Sequence, residues 1–133
     1  VIKVFVYGTL KPGEANYQKY CAGKVVEATE AYTWGQLYNL SVGYPAMTEG
    51  NSKVKGVLLT FDNAAILKNL DELEDYDEMR SPELNEYYRK QIAIYCFSGE
   101  FLGQAWGYLM TLAKVKQLGG VIFPSESWTG FYN

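Results

Sequence analysis

The sequence predicts an α+β fold: a small mixed, mostly antiparallel β-barrel with helices packed beside it. Three observations predict it. About six stretches read as strands, some by the two-residue alternation of a half-buried strand and the first by an apolar run. The connections between them are mostly short, which favours antiparallel or mixed pairing curled into a barrel. One stretch, 63–75, carries a clear helical period.

Each element has a local cause. Residues 2–7 form an apolar run, read as a buried strand. Residues 14–22 predict a short helix ended by Gly23, and 24–30 a strand. Tyr32, Trp34, Gln36 and Tyr38 recur at period two, which places a strand over 32–40. Gly43-Tyr44-Pro45-Ala46 reads as a loop, because Pro45 offers no ladder N–H and belongs at an edge or turn. Residues 53–61 predict a strand with Val57, Leu59 and Phe61 on one face. Asp62 or Asn63 can then cap the helix over 63–75. A polar connection over 79–86 leads to a strand at 87–97, with Tyr88, Lys90, Ile92, Ile94 and Cys96 on one face. Ser98-Gly99-Glu100 turns the chain into a hairpin partner over 101–110. From Gly119 onward the Gly- and aromatic-rich tail, with Trp128, Phe131 and Tyr132, is expected to pack across the body as irregular chain.

At 133 residues the chain fits a single domain, 1–133, around one core. Twelve basic and fifteen acidic residues give a net charge of −3, which gives no support to nucleic acid or an anionic membrane as a partner. No apolar stretch approaches a transmembrane length, and no basic segment precedes the first strand, so the default expectation is cytoplasmic. The start at Val1 suggests that residues are missing or removed there. Cys21 and Cys96 are far apart, outside any C-x-x-C pattern, and read as small hydrophobes. Histidine is absent, which removes Ser-His-Asp and Cys-His catalysis and most zinc sites. Acid–base chemistry near neutral pH then falls to a carboxylate, Lys, Tyr or Cys. The twelve tyrosines read mainly as the margin of a β-rich core.

Two segments point to chemistry. The first strand runs straight into Tyr7-Gly8-Thr9-Leu10, then Lys11-Pro12-Gly13, so the backbone must turn there. Gly8 opens backbone conformations closed to other residues and lets another group approach closely. Turning backbone at a strand end can present N–H groups to an anion or oxyanion. The second segment is Leu70-Asp71-Glu72-Leu73-Glu74-Asp75-Tyr76. At 3.6 residues per turn, Ile66, Leu70, Leu67 and Leu73 fall at about 0°, 40°, 100° and −20° and define the apolar stripe. Glu74 falls inside that stripe at about 80°, whereas Asp71, Asp75 and Glu72 lie at about 140°, 180° and 240°. Burial, the negative end of the helix dipole and the acidic run 71–78 all push the Glu74 pKa upward. A carboxylate so placed is a candidate general base or acid. The bland alternative is a helix that frays before Glu74 and releases it to solvent. Glu72 has a simple partner in Lys68, four residues earlier.

The run Val4-Phe5-Val6-Tyr7-Gly8-Thr9-Leu10-Lys11 resembles the opening signature of the gamma-glutamylcyclotransferase-like family. Leu70-Asp71-Glu72-Leu73-Glu74 resembles its Leu-Asp-x-x-Glu run, Tyr87-Tyr88-Arg89 its Tyr-x-Arg, and Gly43-Tyr44-Pro45-Ala46 its central loop. Order and spacing agree across nearly the whole chain, nearest to the short bacterial and gamma-glutamylamine-cyclotransferase-like branch. The resemblance implies a small mixed barrel and a reaction in which a gamma-glutamyl α-amine attacks its own γ-carbonyl, releasing 5-oxoproline. It implies no metal and no cofactor, and a small gamma-glutamyl substrate. It assigns Glu74 as the acid/base, and Tyr7, Gly8, Thr9, Leu10, Pro45 and Tyr87 to substrate binding. The family usually carries Gly after this glutamate, where this chain has Asp75. Arg89 could bind a substrate carboxylate, but pairing with the acidic segment 71–78 is the favoured reading. Thr9 is expected to secure the turn, since no base for a threonine nucleophile is evident. The rival to an enzyme is a binding or regulatory module using the same pocket, and a third reading is an enzyme acting on a gamma-glutamyl group borne by a larger antibiotic or carrier. A monomer is the simplest assembly.

Overall fold

The computed structural model describes residues 1–129. Phe131 and Tyr132, expected in the packed tail, lie outside the described residues. Strand β1 (Ile2–Val6) pairs antiparallel with β3 (Pro45–Phe61) and parallel with β5 (Phe101–Leu109), meeting at Val4–Leu59 and Val4–Trp106. Antiparallel β4 (Tyr88–Cys96) joins β5 to β2 (Val25–Asn39), and β2 runs back along β3. That last pairing closes five strands into a mixed, mostly antiparallel barrel, with β6 (Val121–Ile122) added at the end of β2. The α+β barrel expected from the sequence is the fold observed.

Several boundaries differ, each for a physical reason. The stretches 24–30 and 32–40 are one strand, because Ala31 and Tyr32 continue the ladder opposite Gly56 and Lys55. Strand β3 starts at Pro45 rather than at 53; a proline is tolerated at the first position, where its missing N–H is not needed. Opposite Gly35 and Gln36 the partner jumps from Ser52 to Thr48, so residues 49–51 bulge out of the ladder. The first helix, α1 (Tyr17–Tyr20), is only a single turn and so falls short of 14–22, and Gly23 follows at φ +81°. Helix α2 spans Ile66–Leu73 rather than 63–75. Asn63 does act at its start, where its Oδ1 accepts the Ala65 N–H at 2.9 Å and its carbonyl accepts the Ile66 N–H. Helix α3 (Leu112–Gln117) was not foreseen; Thr111 caps it by accepting the Lys114 N–H. The Lys68–Glu72 pair does not form among the described residues.

Alternation divides the core into two layers. Phe5, Leu37, Met47, Val54, Leu58 and Ile94 pack together inside the barrel, with Trp128 from the tail among them. Val4, Val6, Leu59 and Phe61 face outward and are covered by Ile66 and Leu70 of α2 and by Val115 of α3. Helix α2 is thereby clamped beside the end of β1, and the site lies between them. No helix among the described residues is long and apolar enough to cross a membrane.

Candidate active site

The end of β1 and the end of α2 converge on a cavity of about 170 Å³. Its wall includes Tyr7, Gly8, Thr9, Leu10, Pro45, Glu74 and Tyr87, every residue the sequence singled out for the site. Thr9 sits in a tight turn. The Lys11 N–H donates to the Gly8 carbonyl at 3.0 Å, the Asn16 N–H to the Thr9 carbonyl at 2.8 Å, and Asn16 Nδ2 to Thr9 Oγ1 at 2.9 Å. The backbone N–H groups of Gly8, Thr9 and Leu10 have no protein acceptor among the described residues. Gly8 is needed for space, not for an unusual φ: it is outside the left-handed region, but a Cβ there would lie 2.7 Å from Pro45 Cγ.

Tyrosines lock this wall together. Tyr7 donates its hydroxyl proton to the Tyr108 carbonyl at 2.8 Å and accepts the Met47 N–H at 3.1 Å. Tyr87 donates to the Pro45 carbonyl at 2.7 Å. Burial pushes both phenols well up, so they stay neutral and act as hydrogen-bonding groups.

Glu74 is the last residue of the α2 turn, its N–H bonded to the Leu70 carbonyl at 2.9 Å. The helix therefore holds the glutamate on the apolar stripe rather than fraying before it. The next residue, Asp75, takes φ +56°, the left-handed conformation that commonly ends a helix and that glycine adopts most easily. The chain then loops out and returns. The Glu86 N–H meets the Asp75 carbonyl at 3.1 Å and the Tyr87 N–H meets the Glu74 carbonyl at 3.4 Å. Arg80 ties the loop, donating to Asp75 Oδ1 at 3.0 Å and to Asn85 Oδ1 at 2.8 Å.

Burial pushes the half-buried Glu74 carboxyl up to about 8, and the charge of Glu86 adds to it. The acidic run on its own helix is not the source. Asp71 is neutralised by Arg89, whose Nε lies 2.8 Å from Asp71 Oδ1, and Asp75 by Arg80. Arg89 stands 4.3 Å from the Trp106 ring centroid, so it has the structural position favoured from the sequence. Tyr108 donates to the same Asp71 oxygen at 2.6 Å.

The sequence reading missed Glu86, Tyr44, Tyr108 and Asn16, which also line the cavity. Tyr44 donates to Glu86 Oε2. Tyr44 stands in the Gly43-Tyr44-Pro45-Ala46 loop beside Pro45, and Glu86 directly precedes Tyr87, so for these two the signal was adjacency to a site residue. Among the described residues no cluster of His, Cys, Asp and Glu could hold a metal ion.

The profile of the family described as gamma-glutamyl cyclotransferase, AIG2-like, matches residues 4–130. The chain belongs to this family. A Niallia circulans protein named gamma-L-glutamyl-butirosin B gamma-glutamyl cyclotransferase is 37% identical over 73 residues, 55% of this chain. This gamma-glutamyl cyclotransferase-like chain thus spans about half of that relative, 46% of its length. The crystal structure of an AIG2-like protein from Mus musculus superposes with a TM-score of 0.69 at 22% identity, covering 96% of this chain and 88% of the other. The solution structure of protein ytfP from Escherichia coli gives a TM-score of 0.58 at 28% identity, covering 96% of each chain. The barrel is thus the fold of AIG2-like structures.

Proposed function

We infer that the protein is a gamma-glutamyl cyclotransferase in which Glu74 is the general base and acid. The observation that carries this reading is the placement of a half-buried Glu74 carboxyl, raised to about 8, in the cavity that also holds the Tyr7–Leu10 turn. A group with a pKa near the working pH can both accept and return a proton. The α-ammonium of the substrate loses a proton to Glu74. The freed amine attacks the γ-carbonyl carbon, forming the ring C–N bond and an oxyanion. Glu74 then delivers the proton to the leaving nitrogen as the amide C–N bond breaks, takes the second proton from the ring nitrogen and passes it to the released amine, so that 5-oxoproline and an ammonium leave.

The N–H groups of Gly8, Thr9 and Leu10, free of protein acceptors among the described residues, suit the α-carboxylate and the oxyanion. Each such donor typically contributes about 3 kcal/mol to the transition state. Ring closure occurs within one molecule, so holding the substrate in a folded pose against Pro45 and Tyr87 supplies much of the acceleration.

The test is 5-oxoproline release from glutathione, gamma-glutamyl amino acids and gamma-glutamyl-ε-lysine. Wild type is expected to release it from at least one, with the rate lowered about 100-fold or more in Glu74→Gln. Equal rates in the variant would show that another group moves the proton. Binding without release across the panel would identify a binding module.

A further inference from the structure

Glu86 and Tyr87 line both the cavity and a second, larger groove, whose other lining residues include Glu78, Arg80, Glu83 and Arg89. Glu86, half-buried, thus lines both spaces, and a leaving group reaching from the cavity into the groove would pass it. Its Oε2 is held by the Tyr44 hydroxyl, a neutral donor, and no ion pair reaches it among the described residues. The cavity contains two carboxylates, Glu74 and Glu86, and its described lining includes no Lys or Arg. The groove's cations are already engaged: Arg80 with Asp75, Arg89 with Asp71, and Lys114 Nζ with the Glu83 carbonyl at 3.2 Å.

An anion arriving beside Glu86 meets a carboxylate with no counter-charge. A cation supplies the missing one. Building on the cyclotransferase reading, we propose that Glu86 is a specificity residue that selects gamma-glutamyl compounds whose leaving amine carries a second positive charge. The fixed carboxylate, held by Tyr44, receives that distal ammonium while the gamma-glutamyl part occupies the cavity. A leaving amino acid, with a carboxylate next to the scissile nitrogen, is disfavoured at the same place.

The experiment compares three substrates: mono-gamma-glutamyl-1,4-diaminobutane, its neutral isostere gamma-glutamyl-n-butylamide, and gamma-glutamyl-alanine. The ratio of kcat/KM between diamine and butylamide is the readout. Both substrates use the same base, so the ratio is insensitive to any change Glu86 makes in Glu74. Wild type is expected to favour the diamine by about tenfold, a single charge-assisted contact. Glu86→Gln should bring the ratio to within about twofold of unity, and Glu86→Asp, which keeps the charge, should retain part of it. An unchanged ratio in Glu86→Gln, or a wild-type preference for gamma-glutamyl-alanine, overturns the proposal. Calorimetric binding of the diamine and butylamide compounds to Glu74→Gln and to Glu74→Gln/Glu86→Gln reads the same preference without turnover. Absence of release from all three substrates would therefore count against the reaction, whereas equal affinities in Glu74→Gln would count against the role of Glu86.

Discussion

A carboxyl group drawn out of water at a helix end is at a disadvantage once ionised, and Glu74 shows what that implies for both stability and rate. Burial and the nearby Glu86 charge raise it from 4.5 to about 8. Between those values the folded protein keeps a proton that the unfolded chain has released. Stability therefore falls as pH rises from 4.5 to about 8, and is level above that range. The variant Glu74→Gln has no charge to bury. Its Tm should exceed the wild-type value by about 5 °C at pH 9 and by little at pH 5, as read by thermal denaturation. The wild-type rate should move the other way, with kcat/KM for 5-oxoproline release rising through about pH 8 as the base form appears. The same residue would then weaken the fold in the pH range where it is active. Gly8 illustrates a steric constraint at this scale. A methyl group there would come within 2.7 Å of Pro45 Cγ, and the Pro45 carbonyl is the acceptor for Tyr87. Gly8→Ala should destabilise the protein by about 1–3 kcal/mol in denaturant titration, the usual cost of overpacking, and raise KM as the cavity wall shifts.

Helix α2 brings Glu74 to the site only because it stops immediately after it. Asp75 makes the stop, at φ +56°, a conformation that costs a non-glycine residue about 1–2 kcal/mol. Aspartate bears this better than most residues and adds a bond from Arg80 Nη2 at 3.0 Å. Asp75→Ala loses that bond and keeps the strain. Asp75→Gly loses the bond and removes the strain. Chemical denaturation should therefore find Asp75→Gly more stable than Asp75→Ala by about 1 kcal/mol, since the exposed ion pair itself contributes little. The same element shows what periodicity can and cannot reveal. The angular position of Glu74 on the apolar stripe was legible because it depends only on the helical repeat. Its electrostatic environment was legible only in part: Arg89 was expected to pair with the acidic segment, but Arg80, which neutralises Asp75, and Glu86, whose charge acts on Glu74, are brought in by the returning loop. Helix α3 escaped notice for a different reason: six residues, Leu112–Gln117, with Val115 alone buried, hold too little apolar stripe to register.

Barrel closure is a property of the whole molecule, and the sequence showed it only in outline. Alternation and short connections indicated the strands, but the long β2–β3 pairing that seals the barrel rests on long-range register. The cavity residues missed from the sequence, Glu86 and Tyr44, come together for the same reason, since no local pattern links a loop at 44 to one at 86. The tail completes the closure. The Phe123 N–H bonds to the Leu37 carbonyl at 2.9 Å, the Lys55 N–H to the Glu126 carbonyl at 2.7 Å, and Trp128 Nε1 to Asn39 Oδ1 at 3.2 Å. Trp128 is buried within the interior layer, and its carbonyl accepts the Nζ of the buried Lys11, the residue directly after the Tyr7–Leu10 turn. One indole thus fills the barrel while its backbone braces the turn against the cavity. Trp128→Ala should lower stability by about 3–5 kcal/mol, the range for a large aromatic deleted from a core. Trp128→Phe keeps most of the packing and loses the Asn39 bond, so its own cost should be about 1 kcal/mol. If the brace on Lys11 matters to the turn, KM for the gamma-glutamyl substrate should rise more than kcat falls in Trp128→Ala, and both should stay near wild type in Trp128→Phe. Equal stability losses in the two variants would place the tail's contribution in the indole N–H rather than in the filled interior.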